Sequence, residues 1–185
     1  PDDFITHIPI QLDGTCNGLQ HYSALLRDPV GGRAVNLVNT EKPSDIYEKV
    51  AERLEEKLND IKRHNNSNSN NNDVFLSICW LNIGINRKLT KRPVMVLPYG
   101  GTMISCREYI GEYLTDNYSP KFIWEHFQTG ESPSDCVYKV SAWLSKYLWE
   151  SIQETLQAAT VGMAYLRKLA RIITNKKNYM EWITP

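Results

Sequence analysis

Apolar residues recur at helical spacing along most of this chain. Ile46, Val50, Leu54, Leu58 and Ile61 are three or four positions apart, the stripe that one face of an α-helix presents. They predict a helix opening at Ser44-Asp45-Ile46-Tyr47, with a good N-cap residue, and running to about Arg63. Its opposite face alternates Glu48, Lys49, Glu52, Arg53, Glu55, Glu56 and Lys57, the pattern of a solvated surface laced with ion pairs. Leu19, Tyr22, Leu25 and Leu26 predict an earlier helix over about 17–27, its unit ended by Gly31-Gly32. Further helices are predicted at about 74–83, 87–99, 102–115, 134–157 and 160–175. Ile8, Ile10 and Leu12 alternate with polar or proline positions, predicting a short strand over 8–12 with Pro9 favouring an edge. A second strand is predicted to begin at Tyr179. Residues 64–73 are almost wholly Asn and Ser; they cannot bury apolar area and predict a disordered loop between helices. The sum is a helix-dominated α+β class.

A chain of 185 residues, 42% hydrophobic and 23% charged, has the make-up of an ordinary globular domain. No apolar run reaches the ~18 residues of a membrane-spanning helix, so no membrane partner is expected. The chain opens Pro1-Asp2-Asp3, without Met or an apolar leader, which predicts no signal peptide and a piece of something longer. Cys16, Cys79, Cys106 and Cys136 are far apart, and His7, His21, His64 and His126 form no cluster. Reduced, mostly buried thiols are expected rather than a metal site. With 21 basic and 21 acidic residues the formal net charge is zero. That argues against gripping nucleic acid by bulk charge, though not against a cleft that concentrates cations locally.

Two segments carry candidate chemistry. In Leu12-Asp13-Gly14-Thr15-Cys16-Asn17-Gly18-Leu19-Gln20-His21-Tyr22, an acidic residue at a strand end precedes glycine. Asp13 offers a carboxylate and Gly14 an uncluttered carbonyl to a divalent ion such as Mg²⁺, which fills its other positions with water and phosphate. An Asp-Gly turn is the commoner meaning of that dipeptide. The second segment is Arg87-Lys88-Leu89-Thr90-Lys91-Arg92-Pro93-Val94-Met95-Val96-Leu97-Pro98-Tyr99-Gly100. Arg87, Lys91, Met95 and Tyr99 are spaced by four and drift slowly around one helix face. Arg and Lys one turn apart can clamp a polyphosphate, and Tyr99 presents a ring for stacking. The bland alternative is a cationic surface face. Pro93 removes a helical hydrogen bond and crowds the preceding turn, so the helix is expected to start near Thr90 or to bend there.

The first segment resembles motif A of single-subunit RNA polymerases of the bacteriophage and mitochondrial kind, and Gly31-Gly32-Arg33-Ala34-Val35-Asn36-Leu37 is similar to the stretch that follows it there. The second resembles motif B, the fingers helix shared with family A DNA polymerases, through Arg87, Lys91, Tyr99 and Gly100. Lys91 to Gly100, followed by Cys106-Arg107-Glu108, looks more like a bacteriophage member than a mitochondrial one. The stretches Met163 to Asn175 and Trp182 to Pro185 are also similar to the family.

That resemblance implies a right-hand polymerase architecture, with a palm segment over 1–40 and a helical fingers region over 41–185. It implies DNA template, RNA transcript and ribonucleoside triphosphates as partners, along with the rest of a longer polymerase chain. Asp13, with the Gly14 carbonyl, would hold metal in a two-Mg²⁺ mechanism, and Asp13, Lys91 and Tyr99 would be the catalytic groups. Arg87, Lys91, Tyr99 and Gly100 would bind substrate, Tyr99 beside the ribose. Tyr47 would lie near the template, while Gln20 and His21 would brace the motif A turn. The family's second catalytic aspartate, in a His-Asp-Ser motif, does not occur here and is expected outside this chain, leaving the fragment inactive alone. The parent would work in a phage-infected bacterial cytoplasm or a mitochondrial matrix. The rival readings are a family A DNA polymerase, whose bulkier motif A excludes a ribose, and a non-catalytic nucleotide- or nucleic-acid-binding module.

Overall fold

The computed structural model describes residues 5, 7–9, 13–63, 71–176, 179 and 181. Every regular element among them is helical: α1 (Asn17–Leu25), α2 (Pro29–Ala34), α3 (Ile46–Arg63), α4 (Asn71–Ile83), α5 (Arg87–Val96), a 3₁₀ turn (Leu97–Tyr99), α6 (Met103–Asn117), α7 (Pro120–Phe127), α8 (Pro133–Thr155) and α9 (Gln157–Asn175). Most of the strand expected over 8–12 lies outside the described residues, and Ile8 and Pro9 are not in a strand. Tyr179 has no regular structure, and the rest of that expected strand is likewise outside. Helix dominance holds.

The α3 stripe organises the interior. Ile46, Val50, Leu54 and Leu58 are fully buried, and α3 packs against α4, α5 and α8. Helix α8 turns Cys136, Val140, Leu144, Leu148 and Ile152 inward against α3, α6 and α7. Burial of this kind supplies ~1.5–3 kcal/mol for each large aliphatic side chain. One core cluster runs from Cys16 to Met163, so the expected palm and fingers segments share an interior. The polar face of α3 is solvated and laced with ion pairs, as expected: Glu48, Lys49, Glu52, Arg53, Glu55 and Glu56 are exposed and Lys57 is half-buried. Arg53 and Lys57 reach Glu154 of α8 at 2.8 and 2.7 Å, and Lys57 also reaches Glu150.

One boundary and two short helices differ from expectation, and the start of α5 falls at the earlier of the two positions expected for it. Asn71–Asp73, assigned to the Asn-rich loop, form the first turn of α4; Asp73 accepts a hydrogen bond from Trp143 Nε1 at 2.7 Å, which anchors that turn to α8. Residues 64–70 of the loop lie outside the described residues. Helix α5 starts at Arg87 and carries Pro93 in its interior, because Asn86 caps it: the Asn86 side chain accepts from the backbone N–H of Lys88 and Leu89 at 3.0 and 3.2 Å. The same side chain donates to the Tyr113 hydroxyl of α6 at 3.0 Å, so the cap is itself held in place. Two short helices, α2 and α7, were not predicted. They are capped by Asp28 and Ser119, each followed by proline at the first helical position, where proline is favoured.

The four cysteines are free and buried, as expected, and burial pushes the Cys106 thiol up to about 12. Among the described residues no helix is long and apolar enough to cross a membrane.

Candidate functional site

Helix α5 divides sharply between two environments. Leu89, Thr90, Pro93 and Val94 are buried, while Arg87, Lys91 and Met95 are exposed, as is Tyr99 in the following 3₁₀ turn. The buried face is bolted to α3: Thr90 Oγ1 donates to the Tyr47 carbonyl at 2.7 Å. The exposed face is thereby aimed outward as a unit. Gly100 stops it, at φ 93°, a backbone conformation that glycine adopts at no steric cost.

Opposite stands the turn from Asp13 into α1. Cys16 is left-handed at φ 54°, and its buried thiol interacts with the Tyr47 hydroxyl; burial pushes both groups above their ordinary pKa values. Asn36 braces the turn from the side. Its amide donates to Thr15 Oγ1 at 3.1 Å and to the Ser44 carbonyl at 2.8 Å, and its Oδ1 accepts from the Ser44 N–H. Gln20 donates to the Val35 carbonyl at 2.8 Å and lies so close to Gly14 that a Cβ there would sit 2.7 Å from Gln20 Oε1. Gln20 thus supports the turn, whereas His21 is exposed and makes no hydrogen bond to it.

Between these walls lies a cavity of about 400 Å³ lined by Asp13 to Gly18, Tyr47, Arg87, Lys91, Met95 and Tyr99. The structure therefore brings together five of the six residues singled out from sequence. Gly100 is not among its lining residues; its place is the helix stop. The two walls meet at Gly18, where an added Cβ would lie 2.6 Å from Pro98 Cγ, and at Tyr99, whose hydroxyl donates to Asn17 Oδ1 at 2.8 Å.

Charge in the cavity is arranged asymmetrically. Lys91 has no ion-pair partner among the described residues, while the Arg87 Nε donates to Asp45 Oδ2 at 2.5 Å with the guanidinium 5.0 Å from the Tyr47 ring centroid. Asp13 is exposed and accepts from the Gly14 N–H at 2.8 Å. No group of three or more His, Cys, Asp or Glu capable of caging an ion occurs among the described residues. An exposed carboxylate at the cavity edge nonetheless fits an ion of the Mg²⁺ kind, which takes one or two protein carboxylates and draws its other ligands from water and phosphate.

Asn17, Gly18 and Asp45 were not identified from sequence as site residues. Asn17 and Gly18 lie within the motif A segment, and Asp45 carried a helix-cap signal; their partners, Tyr99, Pro98 and Arg87, are 42 to 82 positions away.

Comparison with known proteins identifies the family. The model of the DNA-dependent RNA polymerase family matches residues 1–185. The chain is 35% identical over its whole length to DNA-directed RNA polymerase 2, chloroplastic/mitochondrial, of Arabidopsis thaliana, covering 17% of that protein. It is 31% identical to T7 RNA polymerase of Escherichia phage T7, over 96% of this chain and 22% of the relative. It is 32% identical to the mitochondrial DNA-directed RNA polymerase of Mus musculus, over all of this chain and 14% of the relative. It thus spans between 14% and 22% of these relatives, and the organelle and phage identities do not separate the two sources. The family match decides against the DNA-polymerase alternative that motif B alone left open, and the chain belongs to the DNA-dependent RNA polymerase family, of the single-subunit phage and organelle type.

Proposed function

We propose that this chain forms the metal-, triphosphate- and ribose-facing walls of the nucleotidyl-transfer site of a DNA-dependent RNA polymerase, with 1–40 as palm and 41–185 as fingers. The observation that supports this most directly is the single cavity that sets Asp13 and Gly14 across from Arg87, Lys91 and Tyr99.

In this reading the cavity receives a ribonucleoside triphosphate opposite a DNA template, and the 3′-hydroxyl of the RNA displaces pyrophosphate from the α-phosphorus. When bound, a pair of Mg²⁺ ions would supply charge stabilisation to such an in-line displacement. Asp13, with the Gly14 carbonyl, holds metal, and the second carboxylate comes from outside this chain. Lys91, exposed and without an ion-pair partner among the described residues, meets phosphate as a point charge, while Arg87 offers a planar fork. Tyr99 faces the ribose. The template, the transcript and the cellular compartment belong to the whole enzyme.

The test is primed extension with ribonucleotides and Mg²⁺, using the full reading frame that contains these residues beside its Asp13→Ala variant. RNA synthesis by the first and none by the second is the expected result. A full protein that binds nucleotide and extends nothing would instead make this a binding module.

A further inference from the structure

One ion pair at the site joins two residues of which only one lines the cavity. Asp45 precedes α3, and its Oδ1 accepts from the backbone N–H of Tyr47 at 2.9 Å and of Glu48 at 3.3 Å, the arrangement of a helix N-cap. Its Oδ2 takes the Arg87 Nε at 2.5 Å. Both carboxylate oxygens are therefore committed, one to the start of α3 and one to α5. Burial raises the Asp45 pKa, but the bonds from Arg87, Glu48 and Tyr47 outweigh it and hold the carboxyl below its ordinary value. Arg87 is further restrained by the Tyr47 ring at 5.0 Å, and Thr90 Oγ1 fastens α5 to the Tyr47 carbonyl. The carboxylate engages Nε alone. Nη1 and Nη2 make no hydrogen bond among the described residues, and Arg87 and Tyr47 line the cavity while Asp45 does not.

We infer that Asp45 is a positioning residue for the nucleotide's phosphates: it pins Arg87 from behind so that the two terminal amino groups are presented together to the incoming triphosphate. The inference rests on the phosphate-binding role proposed above for Arg87. A free arginine chain samples many rotamers and loses that freedom on binding; a guanidinium already held by a carboxylate and a ring has lost it beforehand. The ligand need not displace Asp45, because a planar guanidinium has a second edge for a bidentate contact.

The experiment uses the full polymerase chain carrying these residues and measures the Kd of ATP by calorimetry alongside steady-state KM and kcat. Asp45→Ser retains a capping hydroxyl but cannot reach Arg87, and Asp45→Asn keeps size and cap while losing charge; Tm reports whether each remains folded. The expected result is a Kd and KM raised about tenfold, a kcat within about threefold, and a cooperative melt at a slightly lower Tm, with no further rise in Kd when either change is added to Arg87→Ala. A Kd that is unchanged or tightened, or that rises equally in the Arg87→Ala background, overturns the inference. If Arg87→Ala by itself leaves the Kd unaltered, the phosphate role of Arg87 has failed, and the role of Asp45 with it.

Discussion

The Tyr99 hydroxyl donates to Asn17 Oδ1 across 2.8 Å, joining residues 82 positions apart on the two walls of the cavity. A phenol that gives its proton to a fixed amide oxygen keeps only lone pairs for a ligand. It can accept from a ribose 2′-hydroxyl, whereas a 2′-deoxyribose has no proton to offer. Asn17→Ala is therefore expected to lower the preference for ribo- over deoxyribonucleotides by about tenfold or more while leaving Tm nearly unchanged. Competitive incorporation assays on the full enzyme measure this, and an undiminished preference would refute it.

Lys91 and Arg92 are adjacent cations with opposite surroundings. Lys91 lines the cavity, while Arg92 pairs with Glu112 and lies 4.4 Å from the Tyr109 ring centroid, on the α6 side. Lys91→Ala should reduce kcat/KM by about 10²-fold, as removal of one aimed electrostatic group typically does. Arg92→Ala should stay within a few-fold. Equal effects would mean that charge near the site, rather than its placement, is what counts.

Gly18 is where α1 and the 3₁₀ turn touch. A Cβ there would lie 2.6 and 2.9 Å from Pro98 Cγ and Cβ and 3.4 Å from Tyr99 Cζ. Pro98 is a stiff ring with little room to yield. Gly18→Ala is expected to cost about 1–3 kcal/mol in a denaturation experiment and to raise the KM for nucleotide by shifting Tyr99. A neutral outcome in both would show that the turn can move freely.

Stability should fall in acid. Lys139 beside Asp135, Lys57 and Arg53 beside Glu154, and Arg87 with the α3 backbone around Asp45 hold these carboxyls below their ordinary values. The unfolded chain therefore binds more protons than the folded one as the pH drops below about 4. The contribution is complete above that range and disappears as pH falls through the depressed folded values. Denaturant midpoints from pH 7 to pH 3 should decline over this window; a flat profile would contradict the pairing.

The core prediction concerns Leu144 of α8, fully buried at the centre of the helix that packs against α3, α6 and α7. Leu144→Ala should cost about 3 kcal/mol, read as a lowered Tm with no change in nucleotide affinity beyond that from unfolding.

What sequence alone revealed divides along the range of the interactions. The α3 stripe was legible because burial repeats every turn, and Arg87 and Lys91 because four-residue spacing keeps them on one face, whereas Tyr99, in the 3₁₀ turn beyond α5, was reached through the resemblance to motif B. Helix α7 left a readable signal in Ser119-Pro120 with Ile123 and Phe127 four apart, but its eight residues are too few for periodicity to stand out. Helix α2 is six residues long and contains Gly31 and Gly32, against intrinsic preference. A Cβ at Gly31 would meet Asp28 Oδ2 and Ser23 Oγ at 2.5 and 2.6 Å, so packing overrides propensity there. The start of α5 at Arg87 was one of two expected; what favours it over Thr90 is the Asn86 cap and its bond to Tyr113, a contact 27 positions distant.

The pairing of Arg87 with Asp45 also sets how a nucleotide first meets the site. With Arg87 offset by Asp45 and Lys91 opposed by Asp13, these four groups sum to no net charge, as the whole chain does. Such a surface projects little field beyond the ~8–10 Å over which salt screens exposed charges. On the function proposed above, these four groups add no long-range attraction of their own, so neutralising Arg87 and Asp45 together should leave the ionic-strength dependence of nucleotide capture by the full enzyme unchanged.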